Sequence, residues 1–224
     1  MLENLFSELA GMQYNRGLLE QAFLLILTAL MDLRDSHTAR HSKNVADYSK
    51  IIAREMGLSI ADQKAIYLAG LLHDVGKIGV PRSSLSKPSK LTDKELMEVH
   101  KHPVLSHELI AEIPGFKGIA EIVLYHHERY DGQGYPYGIK GEKIPLGSRI
   151  LCVADSFDAM VSGRVYRHAI TIPEAILELE QCAGTQFDPE VVLAFCSYLG
   201  KKGLSACLPH AGACDHEKTD SRGG

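Results

Sequence analysis

Helix start and stop signals recur along almost the whole chain, and no alternating apolar–polar run of strand length interrupts them. Leu18 to Leu33 reads as a strongly apolar helix, and a second runs from about Thr38 to Met56 and ends at Gly57. Ser59 with Asp62, and Thr92 with Glu95, carry capping-box spacing, in which an N-cap hydroxyl and the N3 side chain satisfy each other's free backbone N–H groups. Asp188-Pro189 places an N-cap before a proline at the first helical position, and Thr171-Ile172-Pro173 is a weaker version of that signal. Two polar, turn-rich stretches break the pattern: Gly76 to Leu91, and Glu128 to Leu146 with four glycines and prolines at 136 and 145. These signals predict an all-α fold with one core, formed as helices bury their apolar stripes against one another. The expected organisation is a helical N-terminal flank over 1–27, a main helical domain over 28–200, and a polar, glycine-rich tail over 201–224.

With 45% hydrophobic and 23% charged residues the chain is too apolar and too balanced to remain disordered. Its formal net charge of −4 argues against a nucleic-acid polymer as partner, because such binding draws on a positive excess. The most apolar run, AFLLILTALM, is too short to span a bilayer and follows glutamates rather than a basic leader. The 5 cysteines are odd in number and form no C-x-x-C pair, which points to a reducing compartment. A cytoplasmic protein with no membrane span is expected.

The 11 histidines are the unusual count. His37 and His41 lie four apart, on one face of a predicted helix. His73-Asp74 closes the next helix after the apolar AGLL; His102, the pair His126-His127 and Asp155 follow. Taken singly, each histidine reads as a hydrogen-bonded core or surface residue, and Asp155 as the partner of an arginine. Taken together, five or six imidazoles and two carboxylates sit at the ends or inner faces of successive helices. Burying Asp74 or Asp155 without a cation or several donors costs several kcal/mol, and metal ions resolve that cost. Nitrogen and oxygen ligands without thiolates suit iron, manganese, nickel or zinc.

Over residues 28–200 the chain resembles the HD-GYP domain phosphodiesterases of the HD phosphohydrolase superfamily. The resemblance rests on HTARHS (37–42), LLHDVGKIGVP (71–81), HHERYDGQGYPYGIKGEKIPLGSRI (126–150), VADSFDAMVSGRVYRHA (153–169) and GTQFDPEVV (184–192). An HD dipeptide alone is weak, whereas the ordered set, with Gly134-Tyr135-Pro136 intact, is specific.

The resemblance implies an HD-type helical domain with a long GYP loop that hydrolyses cyclic di-GMP to linear pGpG, GMP or both, through a metal-activated water. It implies that His73 and Asp74 form the metal pair, with Asp74 bridging two divalent ions. His41 and Asp155 would complete one side, and His102, His126 and His127 the other. Pro103 would help turn His102 inward by disfavouring a helical backbone there. Iron or manganese is expected, with nickel and zinc as alternatives. His37 departs from the family pattern, where members that hold a third metal carry glutamate; it is a candidate ligand for a third ion. Asp74 and Lys77 are the expected catalytic residues. Lys77, Tyr135, Pro136, Arg164 and Arg167 are the expected substrate contacts, since guanidinium geometry suits phosphate. Asp158 is expected to orient Arg164 or a loop backbone rather than to bind metal.

Three alternatives remain open: hydrolysis of another cyclic dinucleotide, a non-catalytic cyclic di-GMP sensor, and contact with a diguanylate cyclase domain through the GYP loop. The helix at 18–33 is a candidate homodimer contact. Cys207, His210, Cys214 and His216 have zinc-like spacing but read as scattered residues of the tail.

Overall fold

The first helix to be described, α1 (Thr38–Glu55), stops where the sequence places its glycine: Gly57 takes a φ of 75°, a left-handed backbone that costs other residues a Cβ clash. The computed structural model describes residues 38–85, 87, 89–162 and 169–204. The expected helix at 18–33, His37, the segment with Arg164 and Arg167, and the four Cys and His residues of the tail lie outside the described residues.

Among the described residues the order continues with α2 (Ile60–Leu72), a 3₁₀ turn (Val75–Gly79), α3 (Arg82–Leu85), α4 (Asp93–Val99), α5 (His102–Ala111), α6 (Lys117–Leu124), a second 3₁₀ turn (Gly141–Lys143), α7 (Leu146–Ser162), α8 (Ile172–Gln181) and α9 (Pro189–Lys201). The described residues hold no strand, only an isolated bridge between Ala183 and Phe187, and the fold is all-α.

The caps show how closely helix starts follow local chemistry. Thr92 and Glu95 form the full capping box. At Ser59 only half of it forms: the hydroxyl accepts from the Asp62 N–H at 3.1 Å and donates to the Asp62 carboxylate at 2.6 Å. Aspartate is one methylene shorter than glutamate. Thr171, the weaker expectation, makes a full box because Glu174 follows three residues later and bonds the Thr171 N–H at 2.8 Å. Asp188 accepts from the Glu190 N–H at 2.8 Å, with Pro189 in the first turn.

Helix α7 is the buried axis. Ile150, Leu151, Cys152, Val153, Ala154, Phe157 and Met160 lie in the core along it, and α1, α2, α6, α8 and α9 pack around it. Phe157 meets Tyr48 of α1 and Phe195 of α9 edge to face, with centroids 5.1 and 4.9 Å apart. Such pairs add about 1 kcal/mol each beyond area burial. This clamp fixes α1 against α7, and the polar side of the same α1–α7 contact carries His41, Asp155 and Asp158. Among the described residues, no helix is long and apolar enough to cross a membrane.

Candidate metal centre

Three helix ends supply the imidazoles. His73 follows the last turn of α2, and its Nδ1 bonds the Gly70 carbonyl at 2.8 Å. His102 opens α5 and bonds the Val99 carbonyl, at the end of α4, at 2.7 Å. His126 follows α6 and bonds the Val123 carbonyl at 2.6 Å. A carbonyl only accepts, so each ring carries its proton on Nδ1 and directs a bare Nε2 lone pair the other way. Pro103 does not keep His102 out of a helix, as the sequence suggested; it stands in the first turn of α5, where a missing N–H costs nothing.

The Nε2 atoms of His73, His102 and His126, and Oδ1 of Asp74, are buried without a hydrogen-bond partner. Each such atom costs about 1–3 kcal/mol when left unsatisfied. They converge. The ligand atoms of His41, His73 and Asp155 lie within 4.8 Å of one another, as do those of His102, His126 and His127. Between the two groups, His73, Asp74 and His126 form a third set of the same tightness. Asp74 Oδ2 is 3.4 Å from His73 Nε2 and its Oδ1 is 3.5 Å from His102 Nε2, so its two oxygens face the two sides. Five imidazoles and two carboxylates without a thiolate fit divalent cations of the first transition row.

The electrostatics keep the carboxylates ionised and three of the imidazoles neutral. Burial opposes the charged form of Asp74, but His73, Lys77, His102 and His41 outweigh it and hold the carboxyl well below the usual range. Burial likewise opposes charge on Asp155, and the hydrogen bond from His41 prevails. Burial lowers His102 to about 4 and His126 to about 3, and lowers His127 as well. At His41 burial also works against charge, but the bonds to Asp155 and Asp158 raise it to about 9.

These shifts give a pH prediction for the metal-free protein. Between pH 6.5 and about 4 the unfolded chain takes up protons on His102 and His126 that the folded chain excludes, so stability falls as pH falls. The raised group has the opposite sign: its contribution is complete below pH 6.5 and is lost as pH rises through about 9. Chelator-treated protein is expected to melt on the order of 10 °C lower at pH 4.5 than at pH 7. A flat melting temperature across that range would contradict the neutral, buried assignment of these rings.

Close packing seats the His73-Asp74 turn. Ser106, buried in α5, donates to the His73 carbonyl at 2.9 Å and accepts from the Gly76 N–H at 2.8 Å. Gly76 leaves no room for a side chain, since a Cβ there falls 2.2 Å from the His102 carbonyl oxygen and 2.5 Å from the Ser106 nitrogen. Lys77 donates to Asp74 Oδ2 at 2.6 Å, and its 26% exposure leaves the ammonium within reach of an anion.

The GYP loop folds back onto the centre. Tyr135 N–H bonds the His127 carbonyl at 3.2 Å, and the Tyr135 ring lies between two imidazoles, 4.8 Å from His127 and 3.8 Å from His100. Tyr135-Pro136 is a cis peptide. Glu128, buried beneath the loop, accepts from the N–H groups of Tyr137 at 2.7 Å and Gly138 at 3.1 Å.

The structure therefore brings together His41, His73, Asp74, His102, His126, His127 and Asp155, with Lys77 and Tyr135 at the edge. Sequence reasoning passed over Glu128, Ser106 and His100, and also Asn44, whose amide donates to Asp158 at 2.9 Å. The signal for Glu128 was an acidic residue directly after the His-His pair; for His100, only three-dimensional proximity reveals the stack. Among the described residues Asp158 accepts from His41 Nδ1 at 2.6 Å; the Arg164 it was expected to orient lies outside them.

Residues 26–191 match the HD-domain family profile. A cyclic di-GMP phosphodiesterase of Thermotoga maritima is 44% identical over 174 residues, covering 77% of this chain and 47% of that protein. The 3'3'-cGAMP-specific phosphodiesterase 3 of Vibrio cholerae is 39% identical over 203 residues, covering 86% of this chain and 43% of that protein. This chain thus spans less than half the length of these relatives. A crystal structure of a cyclic GMP-AMP-specific phosphodiesterase of Vibrio cholerae superposes with a TM-score of 0.64 at 20% identity, covering 83% of this chain and 50% of that one. That likeness establishes the fold.

Proposed function

This chain belongs to the HD-domain family, in its HD-GYP branch, and from that premise we propose that it hydrolyses cyclic di-GMP at a centre of two divalent ions. The observation that carries the reading is the convergence of bare, buried imidazole nitrogens on the two sides of Asp74. His41, His73 and Asp155 would hold one ion and His102, His126 and His127 the other, with Asp74 between the two groups. Iron or manganese suits these donors best, with nickel and zinc as alternatives. A third ion would draw on His37.

When bound, such ions polarise phosphoryl oxygens and lower the pKa of a water between them. The chain's own groups do the rest. The Lys77 ammonium, close to Asp74, attracts the phosphodiester and offsets negative charge developing on the leaving ribose oxygen. Tyr135 and Pro136 line the nucleotide side of the centre, and the His127–Tyr135–His100 stack keeps the ring from swinging into it. Arg164 and Arg167 bind the second phosphate. The product is linear pGpG, GMP or both, and the cellular effect is a lower level of the messenger.

The test couples metal analysis of protein purified without oxygen to chromatographic identification of the products. Two ions per chain and conversion of cyclic di-GMP are expected. A metal-free yet fully active preparation would overturn the reading, and tight binding without hydrolysis under iron, manganese and nickel would make the chain a sensor. The similarity to a relative named for 3'3'-cGAMP favours a second substrate, so the mixed dinucleotide belongs in the same assay.

Lys77→Ala separates binding from catalysis. The Lys77 ammonium has no lone pair to offer a cation, so this variant is expected to keep its metal while turnover falls by about 10²–10³-fold, the loss typical of removing one charge-stabilising donor. Loss of metal in the variant would remove the catalytic role assigned to Lys77.

A further inference from the structure

We propose that Asp158 is the positioning residue that aims His41 at the cation, an inference that rests on the metal-centre reading above. His73, His102 and His126 each find a helix-end carbonyl for Nδ1. His41 is placed differently. It lies in the first described turn of α1 rather than at a helix C-terminus, and its Nδ1 turns to an acceptor on another element.

Helix α7 supplies one. Asp158 lies three residues after Asp155 on the inward face of α7 and is completely buried. Its Oδ2 accepts from His41 Nδ1 at 2.6 Å. Its Oδ1 accepts from the Asn44 amide at 2.9 Å and from the Ser162 hydroxyl at 3.1 Å. Among the described residues three donors thus satisfy both oxygens, which makes Asp158 an orienting group rather than a ligand. The opposite ring nitrogen, Nε2, is held 3.1 Å from Asp155 Oδ1, within the His41–His73–Asp155 group. One carboxylate of α7 therefore sits at the ion and the next sets the ring that faces it. A carboxylate acceptor also makes the ligating nitrogen more electron-rich than a carbonyl does.

The test is manganese binding by calorimetry on the full chain. Wild-type protein is expected to take up two ions. Asp158→Asn keeps the shape and an oxygen for the Nδ1–H but removes the charge; it is expected to weaken one of the two ions by about 10–100-fold and leave the other unchanged. His41→Ala is expected to lose that same ion, and adding Asp158→Asn to it should cost nothing more. The chelated Asp158→Asn protein should melt within a few degrees of wild type, which separates positioning from a general loss of structure. Equal weakening of both ions together with a large drop in the metal-free melting temperature would make Asp158 a structural residue and overturn the proposal. Wild-type affinity for both ions in a folded Asp158→Asn variant would overturn it as well. A wild-type protein that takes up no manganese, nor iron, would instead bring down the metal-centre reading on which the proposal stands.

Discussion

Asp74→Ala is expected to abolish metal uptake and to cut turnover by at least about 10³-fold. Asp74 is the only described carboxylate whose two oxygens face both halves of the cluster, at 3.4 Å from His73 Nε2 and 3.5 Å from His102 Nε2. Without it the two triads of ligand atoms lose the carboxylate that lies between them, and with it the negative charge that both would share. Several kcal/mol of transition-state stabilisation depends on those ions, and each 1.36 kcal/mol is a factor of ten in rate. The informative measurement is the rise in melting temperature on adding metal. Ligand that binds only the folded state stabilises it by mass action, so wild type should gain several degrees and Asp74→Ala none. A variant that keeps the thermal shift would show that the remaining imidazoles suffice to hold metal, and the bridging role would be wrong.

Gly76→Ala adds a single methyl group and is expected to act nearly as strongly. The new Cβ would fall 2.2 Å from the His102 carbonyl oxygen and 2.5 Å from the Ser106 nitrogen, both main-chain atoms of α5 that no rotamer change can move. Relief requires separating the His73-Asp74 turn from α5, which breaks the Gly76–Ser106–His73 bridge and moves His102 away from Asp74. Overpacking of this kind costs about 3 kcal/mol, equivalent to roughly 10 °C in melting temperature for a chain of this size. Because the displaced atoms belong to the two halves of the centre, the variant should also bind metal more weakly. Unchanged melting and unchanged metal affinity together would mean that the turn yields without cost.

What could be read in advance was local in sequence. Thr92-x-x-Glu95 forms its box because the partners are neighbours on one turn, and Gly57 ends α1 because only backbone torsion is at stake. The seven clustered His and Asp residues were legible for a related reason: each belongs to a short motif with its own spacing, and a buried carboxylate must meet a cation somewhere. The parts that escaped are pairings between distant segments. Asp158 and His41 are separated by 117 positions, and nothing in either stretch names the other. His100 stacks on Tyr135 because α4 and the GYP loop meet in space, a meeting set by how α5 packs on the first 3₁₀ turn and on α6. Ser59 and Thr171 mark the finer limit, since a methylene more or less in the third residue decides whether a cap closes fully.

The carbonyls of Gly70, Val99 and Val123 have a wider meaning than the orientation of three rings. They belong to the last turns of α2, α4 and α6, where aligned peptide dipoles leave about half a negative charge at each helix end. An imidazole that donates Nδ1–H to such an oxygen becomes a conducting link, drawing that partial charge through the ring to Nε2. Three backbone ends are wired in this way to one small volume, so the helices themselves make the interior attractive to cations before Asp74 or Asp155 is counted. Substituting one of these histidines by a side chain of similar size therefore removes a candidate ligand and, at the same stroke, uncaps a helix and disconnects its dipole from the cluster.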